Sequence, residues 1–209
     1  MEKSIKTCAV SIIFLMGLVL SPVWAGPATE SLRGTINQVI KVLSDPSLQV
    51  PERKGERRTI LRDLFEAQFD EQEVARSALG AHWQERTEEE QQEFVNLFSD
   101  LLERTYFEKI DAYLVKSENF SKEDVLYLKE TVGERYTVVE TKVVIDKNTE
   151  IPVHYLLKGN EGSWLVCDIA IEGVSIVKNY RAQFNEILAH SSFDDLLAKL
   201  KSKQEQALN

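Results

Sequence analysis

The side chain best placed to do chemistry is Asp168, set inside the apolar run Trp164-Leu165-Val166-Cys167-Asp168-Ile169. A carboxylate withdrawn from water has its pKa pushed up and can work as a general base, the role it would have in a proton-shuffling isomerase. The same group in the same place can instead accept backbone N–H bonds and serve only the fold. Metal chemistry has little to draw on. The three histidines, His82, His154 and His190, fall in different elements and show no ligand spacing. No nucleophile elbow, P-loop or glycine-rich dinucleotide fingerprint is present. Glu88-Glu89-Glu90 open a helix, where carboxylates meet the positive end of its dipole. The basic cluster Arg53, Lys54, Arg57, Arg58 and Arg62 reads as a solvated helix face, with a docking patch as the other reading. What is abundant is large apolar side chains with no chemistry attached, as either a dry core or an apolar ligand pocket requires.

Overall charge narrows the classes further. Lys and Arg number 25 against 34 Asp and Glu, a net charge of −9. Binding that lives on phosphate neutralisation needs the opposite balance, so no nucleic-acid partner is expected, and the surplus of acid argues against adsorption to anionic bilayers by charge alone. Hydrophobic residues make up 43% and charged ones 28%, which is enough for a packed core and rules out a disordered chain.

The first 25 residues read as an address. Lys3 and Lys6 precede the apolar run from Ile12 to Leu20, then Ser21-Pro22-Val23-Trp24-Ala25 supplies a breaker and a small residue before a cut after Ala25. The run is shorter than the ~20 residues that span a bilayer, so stable membrane insertion is not expected. Glu2, Lys3 and Lys6 would leave with it, so 34 acids and 25 bases become 33 and 23, a net −10. Cys8 would leave too, and the remaining Cys167 has no partner for an internal disulfide; it reads as a small buried hydrophobe. The rest, 26–209, reads as one exported domain, and a bacterial periplasm suits it.

The elements of that domain run helices, strands, helices. Helices are predicted over Thr29–Leu43 and Glu52–Ala67, and a short one follows Asp70, with Asp70 as N-cap, Glu73 reaching back, and Phe69 stapled to Val74. It ends at Gly80. Thr87 and Glu90 form a capping box for the longest helix, to about Leu114, whose stripe of Phe94, Leu97, Phe98, Leu101, Leu102, Tyr106, Ile110, Tyr113 and Leu114 makes one apolar face. A helix of about 40 Å needs a broad apolar partner, most simply a sheet. Strands are predicted over 123–131, 135–146, 150–159 and 162–172, joined by turns at Asp146-Lys147-Asn148 and Gly159-Asn160-Glu161-Gly162. Helices near Val177–His190 and Phe193–Gln206 close the chain. The expected class is α+β: a curved antiparallel sheet of about four strands with helices packed on one face.

The stretch Trp164-x-Val166-x-Asp168-x-x-x-Glu172-Gly173-Val174-Ser175-x-x-x-Asn179-Tyr180-Arg181-x-Gln183-Phe184 resembles a hallmark of the toluene-tolerance (Ttg/MlaC) family. Phe69-Asp70, Ala78-Leu79-Gly80-x-His82-Trp83, Thr87, Phe94, Phe98 and Tyr106 match the family's helical half. Cys167 departs from the aromatic residue common there. The resemblance implies an NTF2-like domain enclosing an apolar pocket, with phospholipid as cargo, no cofactor, no metal and no catalysed reaction. It also implies a periplasmic shuttle between an outer-membrane lipoprotein complex and an inner-membrane ABC transporter bearing MCE-domain protein, in support of outer-membrane lipid asymmetry. The lining candidates that follow are Phe94, Phe98, Leu102 and Tyr106 from the helix stripe, Val143, Val153, Tyr155, Trp164 and Val166 from the strands, and Val174 and Tyr180. The Asp168 isomerase and a solid-cored periplasmic adaptor stand as alternatives.

Overall fold

The computed structural model describes residues 26–114, 121–146, 149–160 and 163–206. The leader and parts of the two turns at Asp146–Asn148 and Gly159–Gly162 lie outside the described residues. The helices are α1 (Pro27–Leu43), α2 (Lys54–Gln68), α3 (Glu71–Leu79), α4 (Glu88–Leu114), α5 (Ile176–His190) and α6 (Phe193–Gln206). Short 3-10 turns at Pro51–Arg53 and Gly80–Glu85 precede α2 and follow α3. The strands β1 (Val125–Val132), β2 (Thr137–Asp146), β3 (Thr149–Asn160), β4 (Ser163–Ile171) and β5 (Val174–Ser175) form one antiparallel sheet in the order 1-2-3-4-5. Among the described residues no helix is long and apolar enough to cross a membrane.

Helix starts follow their capping chemistry. Thr87 and Glu90 exchange bonds as predicted: the Thr87 N–H donates to Glu90 at 2.8 Å and the Glu90 N–H to Thr87 Oγ1 at 3.2 Å. At α3 only half the predicted box forms. Asp70 accepts the Glu73 N–H at 2.9 Å, but the Asp70 N–H donates to the Val166 carbonyl at 3.0 Å instead. Glu73 turns away to accept from the Tyr136 hydroxyl at 2.7 Å and from Arg76. A tertiary acceptor has replaced a local one, and Phe69 forms a parallel bridge to Val166 that covers the otherwise open edge of β4.

The sheet holds a fifth strand beyond the four expected, formed by residues that follow the predicted end of the fourth. Glu172 and Gly173 have φ of 51° and 81°, the paired left-handed conformation of a two-residue hairpin turn, and they fold Val174 and Ser175 back onto Ile171 and Ala170. Ser175 then caps α5, accepting the Lys178 N–H at 3.0 Å. Cys167 is the extra residue of a bulge, since Leu156 pairs with Asp168 while Leu157 pairs with Val166. That bulge allows Val166 and Ile169, three apart, to share one face.

Two apolar clusters divide the packing. One is made of helices alone, with Phe94, Phe98, Tyr180, Phe184 and Phe193 at its centre, ring centroids 5.1–6.1 Å apart. The other joins Ala28 and Leu32 of α1 to Val139, Leu157 and Val166 of the sheet. The expectation that the long helix lies across the sheet is therefore corrected: α4 packs on α3 and α6, and α1 covers the sheet. An amphipathic stripe shows that a helix buries one side and carries no information about its partner.

Candidate functional site

Between α4 and the sheet the packing opens into an apolar cavity of about 170 Å³. Helix α1 supplies Leu32, Thr35, Ile36 and Val39, and the end of α2 supplies Phe65, Gln68 and the following Phe69. Val74 of α3 and Leu102 and Tyr106 of α4 form the helical side. Tyr155 of β3, Val166, Asp168 and Ile169 of β4, and Ile176 and Val177 of α5 complete the wall. Tyr155 keeps accessible surface although protein encloses it, so that surface faces the cavity. Burial drives its phenol pKa upward, and burial does the same to Tyr106, with smaller pushes from Tyr180 and Asp168. Both phenols are neutral at physiological pH.

The polar atoms on this wall are bonded among themselves. Thr35 donates its hydroxyl to Gln68 Oε1, and Gln68 Nε2 donates to the Trp164 carbonyl, lacing α1, α2 and β4 together. Asp168 accepts the Ser175 hydroxyl on one oxygen and the Val177 N–H on the other, the latter at 3.0 Å. Of the two roles the sequence left open for Asp168, the geometry is that of the structural acceptor: it anchors the first turn of α5. The D-x-x-x-E-G-V-S signature thus has a physical content, namely a strand, a tight turn and the serine that returns to the aspartate.

Beside the cavity, on the far side of Phe65, lies a polar cleft of about 220 Å³ lined by Arg62, Glu66, Glu71, Asn96, Ser99, Asp100 and Glu103. Glu103 is buried and held by Arg62 at 2.6 Å and Arg58 at 3.3 Å. Arg57 is also buried and donates to the Leu48 carbonyl at 2.8 Å. The solvated-face reading of the basic cluster is corrected accordingly: Arg57, Arg58 and Arg62 tie α2 to the preceding loop and to α4. Among the described residues no group of His, Cys, Asp and Glu could hold a metal ion. Burial pushes the Cys167 thiol up to about 12, so it is inert.

Of the lining candidates, the structure brings Leu102, Tyr106, Tyr155 and Val166 together on the cavity. Phe94, Phe98 and Tyr180 sit within the aromatic helical cluster instead. Val153 is buried, Trp164 packs on the sheet cluster, and Val143 pairs with Val125 and Ile151, all off the cavity wall. Val174 is 62% exposed, because alternation along β4 does not carry through the Glu172-Gly173 turn. The α1 wall was not among the candidates, although Leu32, Ile36 and Val39 recur at helical spacing and were a readable signal.

The family model described as MlaC protein matches residues 33–202. A phospholipid-binding protein from Ralstonia solanacearum, solved in complex with a phospholipid, shares the fold with a TM-score of 0.72. The match covers 87% of this chain and 99% of that one, at 23% identity. No curated protein sequence matches this chain.

Proposed function

Because this chain belongs to the MlaC protein family, we propose that it is a periplasmic phospholipid carrier, exported with residues 1–25 as a leader cut after Ala25. The acyl chains occupy the apolar cavity and the head group stays at its mouth. The carrier exchanges lipid with an outer-membrane lipoprotein complex and with the MCE-domain protein of an inner-membrane ABC transporter, and catalyses no reaction. The single observation that carries this reading is a cavity whose few polar atoms are already bonded to protein, leaving hydrocarbon as the surface a ligand meets.

The energetics suit such a design. At ~0.8 kcal/mol per CH₂, exposing two ordinary acyl chains to water costs roughly 20–25 kcal/mol, so a carrier crossing an aqueous space must enclose them. The cavity of about 170 Å³ is near the ~150 Å³ that admits one benzene and below the ~300–1,000 Å³ of ligand pockets in general. Loading therefore moves the α1, α4 and sheet walls apart. A net charge of −10 after processing keeps the carrier from settling on anionic bilayers, so docking falls to protein partners.

The test is the lipid content of protein purified from the periplasm. Organic extraction followed by mass spectrometry is expected to recover diacyl phospholipid in near-stoichiometric amount. Well-folded protein that yields none refutes the proposal.

A further inference from the structure

Helix α1 is fastened at its first residues by a side chain from another layer. Glu130, on β1, turns its carboxylate onto the start of α1, where Oε2 accepts the Thr29 N–H at 2.8 Å and the Thr29 hydroxyl at 2.6 Å. Gly26, the N-cap residue, brings no capping side chain of its own. The same carboxylate lies directly against Gly26: a Cβ built there would meet Glu130 Oε1 at 2.0 Å, Cδ at 2.3 Å and Oε2 at 2.6 Å. Any larger residue at 26 would displace the carboxylate from Thr29, so glycine is what permits the contact. By covalent geometry the Gly26 nitrogen is about 2.5 Å from that Cβ position, which puts it within about 4.5 Å of Oε1.

In the unprocessed chain this nitrogen is a neutral amide. Hydrolysis of the Ala25–Gly26 peptide bond by a leader-cutting protease adds water across it. The hydroxyl goes to the Ala25 carbonyl carbon and the hydrogen to the Gly26 nitrogen, which takes up a further proton at neutral pH. We infer that removal of the leader creates an ion pair between the Gly26 α-ammonium and Glu130, and that this pair pins α1 to the sheet only in the processed protein. The inference rests on the processing step proposed above. Its consequence reaches the cavity, because α1 carries Leu32, Thr35, Ile36 and Val39 of the wall.

The charges around the new terminus favour an ammonium. Glu130 comes from β1, Glu30 and Arg33 from the first turns of α1, and Lys122, Glu123 and Asp124 from the 3-10 turn that also packs on α1. The two cations are each close to a carboxylate, Arg33 at 3.5 Å from Glu30 and Lys122 at 3.9 Å from Glu123, which leaves Glu130 for the terminus.

The test uses the chain made to begin at Gly26 by cutting an N-terminal fusion, its Glu130→Gln variant, and the same chain acetylated at the α-amino group. Glutamine keeps an acceptor for Thr29 while removing the charge. The Gly26 amine, titrated by NMR, is expected at least about one unit above the ordinary ~7.7–8.0 in the parent protein and near the ordinary value in Glu130→Gln. Thermal stability of the parent then falls as pH rises through the raised pKa, while the acetylated chain shows no such step. Equal amine pKa values in parent and variant overturn the pairing. Separately, the intact mass of protein secreted with its own leader is expected to begin at Gly26, and any other start overturns the inference at its first step. Neither readout depends on whether lipid is found in the protein.

Discussion

Replacing Ile36 by glutamate places a titratable group on the cavity wall at a half-buried position of α1. In the empty protein the helix can keep that carboxylate hydrated, and glutamate is a good helix former. When hydrocarbon fills the cavity the carboxylate must either stay charged in an apolar medium, at high cost, or take up a proton. Protonation is the cheaper route: from an ordinary pKa of ~4.3 it costs about 3.7 kcal/mol at pH 7 and about 1 kcal/mol at pH 5. Lipid retention is therefore expected to weaken by about 500-fold at pH 7 and only about six-fold at pH 5. The assay is exchange of a fluorescent phospholipid between protein and excess acceptor vesicles at the two pH values. Ile36→Gln controls for polarity without titration, and Val174→Glu, at a position 62% exposed, is expected to leave retention unchanged. Folded Ile36→Glu protein that holds lipid as the parent does at pH 7 would refute the placement of acyl chains against α1.

Other consequences concern the supports of the cavity. Glu73 is pushed up by burial, but hydrogen bonds from Tyr136 and Arg76 outweigh that and hold it below the usual carboxylate range. A depressed folded pKa contributes stability above the unfolded value and loses it as pH falls through the folded one. Tyr136→Phe should thus cost about 1 kcal/mol in urea unfolding at pH 7, with the deficit shrinking as pH falls below the ordinary glutamate range and through the lowered pKa of Glu73. Arg62→Leu leaves buried Glu103 with Arg58 alone and is expected to lower unfolding free energy by about 1–3 kcal/mol, most visibly at low salt. Cys167, with its thiol pushed up to about 12, should resist alkylation at pH 8 in the native protein and react at once in denaturant; fast native labelling would contradict its burial.

Element types and most boundaries were legible because they rest on local rules. The Thr87–Glu90 box, the stripe of α4 from Phe94 to Tyr106 and the alternation of the strands depend on residues close in sequence, and the structure follows them. Pro27 at the first turn moved the start of α1 two residues ahead of the predicted Thr29, a signal that was present and unused. The cavity was harder to see. Phe94 and Leu102 belong to one stripe, share a period and are both buried, yet Phe94 meets Phe184 and Phe193 while Leu102 also reaches the cavity wall. Only the positions of α5 and α6 separate the two.

The sequence by itself settled the family through a signature whose parts are local: a strand, a two-residue turn and a capping serine within a dozen residues. It also settled the excess of acid and the surplus of apolar side chains. Tertiary structure alone decided that α1 rather than α4 covers the sheet, that the bulge at Cys167 turns Val166 and Ile169 to one side, and that the Asp70 N–H is taken by Val166 rather than by Glu73. Each of these outcomes turns on a partner far away in the chain. Hydrophobic burial is non-directional, so the pattern of apolar residues fixes which surfaces leave water and leaves their pairing to the packing of the whole.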